Sequence, residues 1–168
     1  MKRNSKGFSL IELLIVVAII LIIAAIAIPN LLRSRIAANQ ASAVGSLRTI
    51  NTAEVTYSST YNTGYTALLS NLGPPATAGA ATATAADLID SVLSGTAPAS
   101  TTPTKSGYTF TYTPATLVGT TIPGYTCTAT PAGAVGQQGQ NMYFTDGSNV
   151  IRFDTSGTGA TAASTPIG

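Results

Sequence analysis

Residues 8–28, FSLIELLIVVAIILIIAAIAI, form an apolar run whose only polar side chains are Ser9 and Glu12. As a helix, these 21 residues would cover roughly 32 Å at about 1.5 Å per residue. That matches a bilayer hydrocarbon core of about 30 Å. A helix so apolar on every side does not stay alone in water, so it must sit in lipid or among copies of itself. The 140 residues after Ile28 suffice for one modest core. Glu12 is the anomaly, because an acid in hydrocarbon costs a few kcal/mol or more and is functional by default, with a partner to be named.

Composition excludes several classes of activity. The chain has no histidine, which removes the commonest general base and metal ligand. Cys127 is the single cysteine, so no intrachain disulfide can form; the pattern around it fits a small buried strand residue. Six of the eight Lys and Arg fall in the first 48 residues, and only Lys105 and Arg152 follow. That leaves no basic patch for a dedicated nucleic-acid surface. No paired acids and no phosphate-cradling glycine loop are present, so the chain is not expected to be an enzyme or to carry a cofactor. Threonine is absent before Thr49 and occurs 27 times from there onward. β-Branched polar residues suit a half-exposed sheet surface, so an apolar helical first third precedes a neutral head.

Three readings fit the N-terminus. A secretory signal has a basic start, here Lys2, Arg3 and Lys6, and a small-x-small cleavage site, here Ala25-Ile26-Ala27. Against it stand the long apolar run, the acid within it and Pro29 just beyond the cut. A signal anchor explains length and orientation through basic residues before the helix, but leaves Glu12 without a role. The third reading supplies the partner. A cut between Gly7 and Phe8 creates an α-amino group four residues from Glu12, and in a stack of helices the acid of one subunit meets the amine of the next. A desolvated carboxylate left without its neighbour is costly, so such a pair fixes register between identical helices.

The stretch KGFSLIELLIVVAIILIIAAIAIP resembles the N-terminal signature of type IV prepilins and of the related pseudopilins of type II secretion. The resemblance rests on Lys6-Gly7 before the cut, Phe8 after it, Glu12 at the fifth mature position and Pro29 at the twenty-second. It implies a prepilin peptidase that cleaves after Gly7 and methylates the amine of Phe8. It also implies an inner-membrane assembly platform with its ATPase, lipid around the subunit before assembly, and a self-assembled helical homopolymer as the product. Loss of Lys2, Arg3 and Lys6 would leave five basic against six acidic side chains, a nearly neutral mature protein.

The fold class expected is α+β: a long N-terminal helix packed on a four-stranded antiparallel sheet, like a type IV pilin head. Residues 1–7 read as leader, 8–29 as transmembrane and assembly helix, and 30–61 as its amphipathic continuation. Pro29 either kinks or opens the helix or marks the membrane exit. Leu32, Ile36, Val44, Leu47, Ile50 and Tyr57 give residues 30–61 an apolar face, while Arg33, Arg35, Arg48 and Glu54 read as solvated or inter-subunit charges. Residues 62–106 form the connection from helix to sheet, low in complexity over 74–104, with a short helix near 87–94 that is capped by Asp87 and stopped by Gly95. From 107 to 168 the chain alternates with period two: Tyr108, Phe110 and Tyr112 against Thr109, Thr111 and Thr113, then Tyr125, Cys127 and Ala129. Met142–Thr145 and Val150–Phe153 read as a hairpin around Asp146–Asn149. Asp146 and Asp154 offer oxygen ligands, though turn chemistry accounts for them and no metal is expected. Lys105 reads as solvated, and Tyr57, Tyr61 and Tyr65 as head-packing groups rather than an electron path, since no aromatic lies between Phe8 and Tyr57.

The resulting expectation is a structural pilin subunit in the bacterial inner membrane, then in an extracellular filament. The alternatives are a major pseudopilin of a periplasmic pseudopilus and, from another class, a monomeric membrane-anchored surface domain.

Overall fold

The computed structural model describes residues 8–77, 79–96 and 99–167. The chain divides into two compact units, Met1–Arg35 and Ile36–Gly168. A first helix, α1, is assigned over Leu10–Tyr61 with Pro29 inside it. The part of α1 in the first unit is exposed on almost every side, whereas a helix apolar all round is of the kind found buried in a core or a membrane. Among the described residues it is the one helix long and apolar enough to cross a membrane.

The second unit is built on the remainder of α1. Ala43, Leu47, Ile50, Glu54 and Tyr57 recur at steps of three and four and are all buried, so one stripe of the helix faces the core. Asn62, at φ 54°, takes the left-handed conformation that ends a helix and that asparagine tolerates better than most residues. A 3₁₀ turn at Leu69–Leu72 follows, then a one-turn helix α2 at Ser91–Ser94. The strands are β1 (Thr104–Lys105), β2 (Tyr108–Pro114), β3 (Tyr125–Pro131), β4 (Met142–Asp146), β5 (Arg152–Asp154) and β6 (Thr165–Pro166). They form one antiparallel sheet in sequence order.

Alternation sets the two faces of this sheet. Tyr108, Phe110, Tyr125, Cys127 and Ala129 are buried and join Leu47, Ile50 and Tyr57 of α1 in one core. On the opposite face Thr109, Thr111 and Thr113 stand directly across from Thr130, Thr128 and Thr126. Cross-strand threonine pairs stabilise such a face modestly, and the threonine-rich composition is explained by it.

Several expectations change. The sheet has six strands, not four, because β1 and β6 are two-residue edges too short to show period-two alternation. It therefore begins at Thr104, ahead of the expected boundary at 107. The short helix is capped by Asp90, whose carboxylate accepts from the N–H groups of Val92 and Leu93. Asp87 instead sits at φ 53°. Gly95 does stop α2, at φ 72°. Lys105 is not free in solvent: its Nζ lies 2.6 Å from Asp90 Oδ2, a partly exposed pair of the kind worth little to stability. Asp146–Asn149 is a turn, closed by the Asn149 N–H to the Asp146 carbonyl at 2.9 Å.

The C-terminal segment is fastened without a disulfide. β6 pairs with β5, Arg152 Nη1 donates to the Ser164 carbonyl at 3.1 Å, and the Ile167 N–H donates to the Ile151 carbonyl at 2.8 Å. Cys127 is buried in β3, and burial pushes its thiol up to about 12.

Two outcomes follow from this packing. Phe110→Ala is expected to destabilise the head by about 3–5 kcal/mol through the cavity it leaves, measurable as a shift of the denaturant midpoint at constant m-value. Cys127 is expected to resist alkylation at neutral pH in the native protein and to react fully once unfolded; rapid native labelling counted by mass spectrometry would contradict the buried position.

Candidate assembly site

The first turn of α1 is shaped by the sequence Ser9-Leu10-Ile11-Glu12. Ser9 is the residue before the helix, and its carbonyl accepts from the N–H groups of Glu12 (3.1 Å) and Leu13 (3.3 Å). Glu12 Oε2 reaches back and accepts from the Ser9 N–H at 2.9 Å. This is the glutamate half of a capping box, in which the third helical residue satisfies the backbone donor of the cap. The carboxylate also stands at the positive end of the helix dipole. The pattern S-x-x-E is legible in the sequence, and a reading of Glu12 as an inter-subunit group alone misses it. Among the described residues Glu12 Oε1 carries no hydrogen bond. Phe8, one residue before the cap, is exposed. Gly7 and the Gly7–Phe8 bond expected to be cut lie outside the described residues.

Pro29 interrupts neither end of α1, and the helical assignment continues through it. Its missing N–H leaves the Ala25 carbonyl without the usual partner. One turn beyond, Ser34 Oγ donates to the Asn30 carbonyl at 3.0 Å. Arg33, Arg35 and Arg48 are exposed. Arg48 borders an open groove that Val44, Tyr143, Phe153 and Ile167 also line.

Glu54 corrects the sequence reading. It is not solvated but fully buried, at 0% exposure. Among the described residues no cation pairs with it. Thr66 holds it instead: the Thr66 N–H donates to Oε2 at 3.0 Å, and Thr66 Oγ1 lies 2.5 Å from Oε1. Burial raises its pKa above the ordinary carboxylate value of 4.5, and the hydrogen bonds from Thr66 and the Tyr112 hydroxyl only partly offset this. One turn earlier on α1, Asn51 accepts from the Tyr125 hydroxyl at 2.9 Å and exchanges hydrogen bonds with Thr145 Oγ1. A polar seam thus runs through the apolar core. Periodicity could not reveal it, because a helical wheel shows which side a residue is on but not how deep it lies.

The tyrosines serve packing. Tyr57 donates from its hydroxyl to the Ala83 carbonyl at 2.8 Å and lies 4.8 Å from the Tyr61 ring, while Tyr65 meets the Tyr125 ring edge-on at 4.9 Å. Asp146 and Asp154 turn their carboxylates onto their own loops, toward Ser148 and Ser156. The hydroxyl of Ser156 holds the exposed Asp154 carboxyl below its usual range. Among the described residues no group of three His, Cys, Asp or Glu is placed to hold a metal ion.

Comparison with known proteins bears on the same N-terminal segment. Residues 2–28 match the family model described as the prokaryotic N-terminal methylation motif. The chain is 70% identical over 37 residues to the type IV wide pilus major component PilA4 of Thermus thermophilus, covering 22% of this chain and 28% of that protein. It is 46% identical over 54 residues to the type IV major pilin protein PilA of Myxococcus xanthus, covering 32% of this chain and 24% of that protein. The match thus spans only about a quarter of the length of these curated relatives. No solved structure matches the chain. The N-terminal segment carries the prokaryotic N-terminal methylation motif, and the long apolar helix and the antiparallel sheet fit the α+β, pilin-like fold expected from the sequence.

Proposed function

We propose that this chain is a type IV pilin: a structural subunit, not an enzyme, cleaved after Gly7, N-methylated at Phe8 and polymerised through its N-terminal helices into an extracellular filament. In this reading residues 1–7 are the leader and 8–29 the membrane and assembly helix. Residues 30–61 carry the head, 62–106 connect it, and 107–168 complete it. The observation that carries the proposal is Glu12 in the first turn of a helix that is apolar on every side. It has one oxygen on the Ser9 N–H, and among the described residues the other has no partner, which supports its pairing with a second chain.

The mechanics follow from electrostatics. Before assembly the helix rests in the inner membrane, where a lone carboxylate is costly. Cutting at Gly7–Phe8 places a positive amine next to the helix start. When a neighbouring subunit brings that amine to the free oxygen of Glu12, two poorly solvated charges neutralise each other, and the pair forms in only one register. Pairing of identical helices also covers the apolar surface that lipid covered before. The cleaving and methylating peptidase, the assembly platform and its ATPase are the partners this route requires, and the cell surface is its end point. Both named relatives are pilus components, which favours the pilin over the pseudopilin.

The test is the mass and N-terminus of the protein sheared from the cell surface. A chain starting at Phe8 with one added methyl is expected; a chain starting at Met1 and confined to the membrane fraction would sink the proposal in favour of an anchored domain. Glu12→Ala is expected to leave the subunit folded and membrane-bound but to reduce surface fibres at least tenfold, counted by electron microscopy. Undiminished fibres would remove Glu12 from assembly.

A further inference from the structure

Glu54 lies at the junction between α1 and the segment that leaves it, and the protons there can be counted. Three oxygen–oxygen contacts converge on Thr66. Its Oγ1 is 2.5 Å from Glu54 Oε1 and 3.0 Å from the Tyr112 hydroxyl. The Tyr112 hydroxyl is in turn 2.9 Å from the Thr66 carbonyl. A carbonyl has no proton to give, so the Tyr112 hydrogen belongs to the Thr66 carbonyl. The Thr66 hydroxyl has one hydrogen and two oxygen neighbours. Three hydrogen bonds are drawn and two hydroxyl protons are available. An ionised Glu54 adds none.

We infer that Glu54 carries a proton in the folded head at neutral pH, and that this proton closes a hydrogen-bonded ring fastening α1 to residues 62–68, making the junction a pH-sensitive latch. With the proton in place every group has a role. The carboxylic O–H donates to Thr66 Oγ1, the Thr66 O–H to the Tyr112 oxygen, the Tyr112 O–H to the Thr66 carbonyl, and the Thr66 N–H to Glu54 Oε2. Without it, the Thr66 hydroxyl must serve either the carboxylate or Tyr112, and a charge sits buried with no cation among the described residues. The groups facing Glu54 are all neutral or weakly acidic: Thr66 from the connecting segment, Tyr112 from β2, Tyr125 and Cys127 from β3. Nearby, Tyr65 packs on Tyr125, and Asp146 at the end of β4 raises Tyr125 further. Asn51, on the same face of α1, is saturated by Tyr125 and Thr145. Desolvation works in the same direction as the proton count.

The sign of the effect is fixed. The folded pKa stands above 4.5, so the closed state binds the proton more tightly than the open one. The stabilisation is fully present below 4.5 and is lost as pH rises through the folded value. Within that window the opening equilibrium gains up to about tenfold per pH unit for one proton.

Glu12 and Glu54 are the only glutamates in the chain, so glutamate labelled with ¹³C at the side-chain carboxyl gives two signals. The full chain in detergent micelles is titrated by NMR, and Glu54→Gln assigns the signal that disappears. The Glu54 carbon is expected to report a protonated acid at pH 7. The Thr66 amide should lose up to about tenfold protection per pH unit, beyond the intrinsic exchange rate, between pH 4.5 and the midpoint of that signal, and level off above it. Glu54→Gln keeps the donor and acceptor of the protonated acid and should abolish this pH step while remaining folded. Tyr112→Phe removes one hydroxyl that bears on Glu54 and leaves the Thr66 hydroxyl wholly to the carboxylate, so the Glu54 midpoint should move. An ionised Glu54 at pH 7 overturns the inference. So does a protonated Glu54 whose midpoint Tyr112→Phe leaves unmoved, which would reduce the effect to burial alone.

Discussion

The molecule depends on how one helix is covered. Along α1 the first part exposes apolar side chains on all sides, while the second buries a single stripe under the sheet. Among the described residues of its unit the first part has no cover, and so much exposed apolar surface is unfavourable in water. Hydrophobic burial is proportional to area and indifferent to register, so apolar surface alone says that this helix needs lipid or other helices without saying how they align. Register has to come from directional groups, and Glu12 is the only such side chain in the run besides Ser9.

The same logic repeats in the head. Leu47, Ile50 and Tyr57 would accept many rotations of α1 against an apolar sheet. Asn51 and Glu54 accept few, because each is tied to a particular strand or turn: Asn51 to Tyr125 and Thr145, Glu54 to Thr66 and through it to Tyr112. A buried polar group left without partners costs about 1–3 kcal/mol. Misplacing the helix by one step would strand both residues. The polar seam therefore adds specificity to a core whose stability comes from its apolar members, and β5–β6 pairing holds the C-terminal edge where a disulfide is not available.

What the sequence disclosed follows from how far each signal reaches. The apolar run and the alternation of β2 and β3 are repeated patterns over seven or more residues, long enough to be unambiguous, and the helix and central strands were legible from them. β1 and β6 have two residues each and exist only because longer neighbours offer them an edge. Asp87 and Asp90 are equally good caps by type; the choice fell to Asp90 because Leu93 is drawn into the core and sets where the turn begins. The candidate site was readable in part. Phe8, Glu12 and Pro29 stand out by type and position, whereas the Ser9–Glu12 contact needs the local pattern to be weighed beside the membrane argument. The depth of Glu54 was not readable, because depth in a core is decided by residues distant in sequence, above all Thr66 and Tyr112.

The two glutamates show why an acid on an apolar helix has no single meaning. Both accept a backbone N–H, Glu12 from Ser9 and Glu54 from Thr66. They differ in what remains. Glu54 has its second oxygen on Thr66 Oγ1 inside a closed core, so its needs are met within one chain, and a proton is the simplest way to remove its charge. Among the described residues Glu12 has no partner for its second oxygen, and in the proposed assembly its charge would be met by the amine of a neighbouring chain. A group satisfied internally fastens a fold, and a group satisfied only from outside selects a neighbour. Under these two proposals one helix would use the same side chain for each purpose, with the surroundings deciding which.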